Sequence, residues 1–101
     1  MAKRGRESGA PYSLRLYVAG ATARSNRAIR VMKQICEEHL LNRCDFEVVD
    51  VYQHPELART DQVIAVPTLV RSKPLPVRKM IGDLSDREKV MRLLELDLPN
   101  V

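Results

Sequence analysis

A proline inside an apolar, β-branched run, at Val63-Ile64-Ala65-Val66-Pro67-Thr68-Leu69-Val70, restricts this chain more than any other stretch. Proline donates no backbone hydrogen bond, so it belongs at a strand's first residue or on an edge, not inside a central strand. Two arrangements meet that demand. One is a trans proline opening an edge strand. The other is a cis X-Pro bond held by the surrounding fold, since free chains favour trans by roughly 0.5–1 kcal/mol. The order of elements on either side decides between them.

Upstream, Tyr12 to Ala19 (YSLRLYVA) sets Leu14, Leu16 and Val18 against Ser13, Arg15 and Tyr17, a period of two that predicts a strand. Gly20-Ala21-Thr22-Ala23 turns the chain, and Thr22 or Ser25 can cap a helix. From Arg24 to Leu41, Ala28, Ile29, Met32, Ile35, Cys36 and Leu40 recur at three and four residues, an apolar helical stripe opposite Arg27, Arg30, Lys33, Glu37 and Glu38. Asp45 to Tyr52 (DFEVVDVY) again reads as a strand, with Cys44 at its entrance. His54-Pro55-Glu56-Leu57-Ala58 starts a short helix, with proline in the first turn and His54 as a cap or surface residue.

After Pro67, Leu69 to Arg71 forms a strand, Ser72 to Pro76 turns, and Val77 to Ile81 returns as the second arm of a hairpin. Ser85-Asp86-Arg87-Glu88 fits a capping box, so the last helix is expected to start at Ser85 and to bury Val90, Met91, Leu93 and Leu94 before Asp97-Leu98-Pro99 stops it. The order is βαβαββα: one parallel crossover, then an antiparallel hairpin closed by a helix. That is an α/β, thioredoxin-like plan around a four-stranded mixed sheet. In such domains the proline that enters the hairpin follows a cis bond, and Pro67 takes that structural role. The expected organisation is a basic disordered arm (1–11), a single domain (12–98) and a short tail (99–101).

Composition narrows function by exclusion. The chain of 101 residues carries a net charge of +4 with pI near 9.4, and Lys3, Arg4 and Arg6 of the arm supply much of the excess. Tyr12, Tyr17 and Tyr52 are scattered and make no stacking platform, so nucleic acid is not the expected partner. No apolar run approaches the length of a membrane span, and the arm lacks the apolar segment of a signal peptide; a cytoplasmic location is expected. Cys36 and Cys44 match neither a CxxC redox pair nor a zinc half-site, and with His39 and His54 as the only histidines neither metal nor cofactor is expected. They read as free, mostly structural thiols. A disulfide-exchange enzyme needs a thiolate where the first helix begins. The turn Gly20 to Ser25 contains no sulfur, so disulfide exchange has no mechanism there and the fold is expected to serve another purpose; a glutathione-dependent enzyme would have to use the backbone beside Pro67 without a catalytic Cys, Ser or Tyr in the loop.

LRLYVAG (14–20), DVYQHPELA (50–58) and VIAVPTLVRSKPLPVRKMIGDLSDREKV (63–90) closely resemble the circadian clock protein KaiB and its bacterial KaiB-like relatives, from about Tyr12 to Leu96. The resemblance implies a non-enzyme that docks on the N-terminal ATPase ring of the KaiC hexamer, helps sequester KaiA where KaiA exists, and displaces an output histidine kinase with a thioredoxin-like sensory domain. It also implies fold switching between a tetrameric βαββααβ ground state and a monomeric thioredoxin-like binding state, with the first half of the chain common to both. Carried over position for position, the basic residues of the KaiC-facing group are Arg27, Arg71, Arg78 and Lys79. The alternative is an adaptor for a stress or histidine-kinase pathway outside any clock.

The chain departs from the clock proteins near its end. Leu93-Leu94-Glu95-Leu96-Asp97-Leu98 stands where those proteins read Gly-Leu-Asp-Leu-Leu-Tyr. Leucine for glycine favours a helix by roughly 0.5–1 kcal/mol and glutamate for aspartate adds a little. Leu93, Glu95 and Leu98 are therefore expected to weight the chain toward the monomeric thioredoxin-like state.

Overall fold

A computed structural model describes residues 10–82 and 84–94 of the chain. Among these residues the elements are β1 (Tyr12–Val18), α1 (Ala23–His39), β2 (Cys44–Asp50), α2 (Pro55–Thr60), β3 (Thr68–Lys73), β4 (Arg78–Ile81) and α3 (Arg87–Leu93). The sheet is four-stranded and mixed, in the order β2-β1-β3-β4, with β1 parallel to β2 and antiparallel to β3, and β3 antiparallel to β4. This is the thioredoxin-like βαβαββα order and not the alternative βαββααβ. Most of the N-terminal arm, the C-terminal tail, Glu95 and Leu98 lie outside the described residues. No helix among those described is long and apolar enough to cross a membrane.

Strand alternation distributes the core. Leu14, Leu16 and Val18 of β1 and Leu69 of β3 meet Ala28, Met32 and Ile35 of α1 and Val90 and Met91 of α3 on one face. The other face was expected to be β1's polar side, yet Tyr17 on it is 0% exposed. Tyr17 packs with Val49, Val70, Leu57 and Val66, because α2 and the segment after it cover that part of the sheet. A strand covered on both sides must satisfy its polar atoms internally. The Tyr17 hydroxyl does so by donating its one hydrogen to Asp61 Oδ2 (2.5 Å), with the Leu57 carbonyl an alternative acceptor at 3.0 Å.

Local signals set the ends of the helices. Gly20, with φ +68°, supplies the left-handed turn after β1. Thr22 is the N-cap of α1, its Oγ1 accepting from the Ser25 amide (3.1 Å). α1 ends at His39, with Leu40 buried as the C-cap, while Leu41, expected to be helical, lies beyond it and is exposed. Helix α3 starts later than its capping-box pattern predicts. Asp86 rather than Ser85 is the N-cap, accepting from the Lys89 amide at 3.3 Å. An aspartate in the extended conformation three residues before an amide satisfies that donor as well as serine does, and its charge suits the positive helix end. Arg87 also pairs with Glu38, joining α3 to α1.

Candidate interaction surface

The Val66-Pro67 bond is cis, as are Lys73-Pro74 and Leu75-Pro76 in the hairpin turn. The segment entering Pro67 is fixed from α2. The helix closes with two reversed hydrogen bonds, Gln62 N to Arg59 O (3.1 Å) and Val63 N to Ala58 O (2.8 Å), with Gln62 at φ +58°. That is a Schellman closure, and Val63 and Ala58 pack into the same apolar cluster. Thr68 Oγ1 then donates to the Ala65 carbonyl at 2.5 Å. Pro67 itself is buried beside the start of α1, where Ala19, Thr22, Ala23, Arg24, Ser25 and Val66 line a pocket of about 320 Å³ with it. Those lining side chains offer hydroxyl and aliphatic groups and the Arg24 guanidinium, and no sulfur.

The other side of this segment is held by charge. Arg15 Nε donates to Glu47 Oε2 (2.7 Å), and Arg15 Nη1 lies 3.3 Å from Asp61 Oδ2 and 3.4 Å from the Tyr17 hydroxyl. Burial, aided by the hydrogen bond to Asp61, pushes the Tyr17 phenol up to about 12. The network ties β1, β2 and the end of α2 together, and so sets the height of the segment leading to Pro67.

β4 is an outer strand of the sheet, and the chain around it is exposed. Ile64 is 88% exposed and Ile81 53%; Leu75 and Val77 of the hairpin turn are exposed as well. Lys79 Nζ reaches back to the Gln62 carbonyl (3.2 Å), which brings β4 against the segment carrying Ile64. These apolar residues escaped the sequence reading, although Ile64 beside Pro67 and Leu75-Pro76-Val77 in a turn are the signals that mark them.

The four cations implied by resemblance do not form one cluster. Directly paired strand residues share a face. Arg78 pairs with Arg71 and Lys79 with Val70, so Arg78 and Lys79, both exposed, project to opposite faces of the edge. Arg27 is exposed on α1, near Arg24, Pro67, Gly82 and Leu84 rather than beside the hairpin. Arg71 departs furthest from the expectation of a partner-facing group, being 0% exposed. Its Nη1 donates to the Leu93 carbonyl and its Nη2 to the Pro76 carbonyl, each at 3.1 Å, so the guanidinium clasps the hairpin turn to the last turn of α3. A cation suits that place, because helix C-termini present unpaired carbonyls and partial negative charge. Leu93, expected to influence the fold state, is the last residue of α3 and supplies one of these carbonyls.

Comparison with known proteins adds relatives to this geometry. A family model described as the KaiB domain matches residues 15–96. The circadian clock oscillator protein KaiB of Microcystis aeruginosa is 52% identical over 87 residues, covering 86% of this chain and 82% of that protein. The oscillator protein KaiB1 of Synechocystis is 51% identical, covering 86% and 81%. Among solved structures, the N-terminal domain of Synechococcus elongatus SasA superposes with TM-score 0.69 at 20% identity, covering 94% of this chain and 91% of that domain. The Drosophila thioredoxin Deadhead does so with TM-score 0.74 at 14% identity, covering 89% and 84%. At these identities the two structures share the thioredoxin-like fold with this chain.

Proposed function

This chain belongs to the KaiB family of circadian clock proteins, and on that premise we propose that it is a non-catalytic regulator that docks its β4 edge on the N-terminal ATPase ring of a KaiC-type hexamer. The observation carrying this reading is the composition of that edge. An outer strand offers backbone groups for pairing, and here it also carries Arg78 and Lys79 within a rim of Ile64, Leu75, Val77 and Ile81. The apolar side chains supply the buried centre of a contact, and the cations steer and orient it. Arg27 contributes from α1 as a peripheral cation, while Arg71 serves the interface indirectly by holding the hairpin in shape.

The pocket beside Pro67, lined without sulfur, supports binding over disulfide exchange at the position where redox members of this fold react. In a host with the other clock components, the bound form sequesters KaiA and displaces the output histidine kinase. The resting form is the thioredoxin-like monomer, and it works in the cytoplasm.

Titration of the full chain against a purified KaiC-type hexamer, in ATP and in ADP, tests the proposal. A saturable complex is expected, weakened at least about tenfold by the pair Arg78→Glu and Lys79→Glu, with the loss largest at low salt. No complex in either nucleotide state, or a complex indifferent to both reversals, overturns it.

A further inference from the structure

Cys36 and Cys44 stand apart from the sheet edge just described. Cys36 lies on the last turns of α1 and Cys44 is the first residue of β2, and both pack at the margin of the main core while keeping partial exposure. Their sulfurs are 3.7 Å apart. A disulfide holds its sulfurs about 2.05 Å apart, so bond formation asks for a closure of under about 2 Å. The connection is short: Leu40, Leu41, Asn42 and Arg43 turn the chain, with Asn42 at φ +63° and the Arg43 amide donating to the Leu40 carbonyl at 2.8 Å. The two thiols therefore remain neighbours whenever the α1–β2 corner is formed.

We propose that Cys36 and Cys44 are a reversible oxidation site, forming an intramolecular disulfide that staples the end of α1 to the start of β2. The oxidant class is a hydroperoxide. The Cys36 thiolate attacks one peroxide oxygen and the O–O bond breaks; for hydrogen peroxide the departing hydroxide takes the thiol's proton and leaves as water, giving a sulfenic acid on Cys36. The Cys44 sulfur then attacks the Cys36 sulfur, the S–O bond breaks, and the oxygen leaves as a second water with the Cys44 proton. Two thiols lose two electrons and the peroxide gains them. The hydrogen bond between the sulfurs lowers the Cys36 thiol's pKa and, with partial burial, raises that of Cys44, which favours Cys36 as the attacking thiolate. A low-molecular-weight dithiol reverses the bond by exchange.

The staple acts on an edge strand whose only ladder partner among the described residues is β1. It ties β2 to the helix above and leaves β4, on the other edge, untouched. Its test therefore needs no ATPase ring.

The full-length protein is treated with hydrogen peroxide, quenched, alkylated and digested with trypsin without reduction. Because Arg43 lies between the cysteines, cleavage after Lys33, Arg43 and Arg59 puts them on separate peptides that stay together only if bonded. Expected are loss of both free thiols, one linked peptide pair in a monomer, and restoration by dithiothreitol. Amide exchange at Tyr12 and Arg43, whose hydrogen bonds frame the corner, is expected to slow about tenfold in the oxidised form. Cys44→Ala should instead accumulate a dimedone-reactive sulfenic acid on Cys36. Disulfide-linked dimers, or a Cys36 oxidised beyond sulfenic acid in the unsubstituted protein with Cys44 still free, overturn the proposal.

Discussion

Replacing Arg71 with alanine sets two roles for this residue against each other. As a clasp, its fully buried guanidinium donates two hydrogen bonds, one to the Leu93 carbonyl and one to the Pro76 carbonyl, both at 3.1 Å. Hydrogen bonds to a charged group contribute about 1.5–3 kcal/mol each, and a carbonyl left without a donor costs about 1–3 kcal/mol if water cannot reach it. The arginine's own desolvation is relieved in the variant, which offsets part of that sum. A net destabilisation of about 3 kcal/mol is expected, or roughly 12–24 °C in melting temperature for a domain of this size. Urea unfolding followed by circular dichroism reads the change directly. Arg71→Lys keeps the charge but loses the fork that spans two acceptors, and should recover about half of it. A loss under about 1 kcal/mol, accompanied by at least a tenfold loss of ATPase-ring binding, would refute the clasp and restore Arg71 to the partner-facing group.

Four further outcomes are expected. The folded Tyr17 phenol, at about 12, lies above the unfolded value of 10, so its contribution of about 2–3 kcal/mol is complete below pH 10 and lost as pH rises toward 12. Tyr17→Phe should flatten that alkaline limb in stability measured against pH. Thr22→Ala removes the acceptor of the Ser25 amide and should cost about 1 kcal/mol by urea midpoint. Asp86→Ala should cost a similar amount and fray the first turn of α3, visible as faster exchange of the Lys89 amide. Gln62→Gly relieves a left-handed residue at the Schellman closure and should be stabilising by up to about 1 kcal/mol, whereas Gln62→Val, with a β-branched side chain at the same φ, should destabilise.

The periodicities of two and three-to-four were enough to read the element order, because β1 and α1 carry their apolar residues on the faces that become the core. Leu14, Leu16, Ala28, Met32 and Ile35 are all buried where that pattern puts them. The cis bond before Pro67 was legible as one of two arrangements, and the hairpin after it selected between them. Tyr17 was misplaced because alternation identifies two faces of a strand but not how many will be covered; α2 decided that. The parity that puts Leu69 inward also puts Arg71 inward, so the clasp had a signal in the sequence, although arginine is seldom fully buried unless paired. The meeting of Cys36 and Cys44 had none, since the parallel return of β2 beside β1 sets the distance between them. Ile64 and Ile81 were hidden for the opposite reason, apolar residues that the fold leaves outside.

The place of β1 at the centre of the sheet bears on how the molecule comes apart. Among the described residues, backbone hydrogen bonding between the segment ending at Asp50 and the segment beginning at Thr68 runs through one ladder, β1 against β3. Side chains reinforce that seam from above, through Glu38 and Arg87 and the shared apolar layer. A seam of one ladder can open while β1, α1 and β2 keep their own crossover, so the hairpin and α3 are expected to open as a unit of their own. Amides of β3, β4 and α3 should then exchange together, at a rate distinct from those of α1.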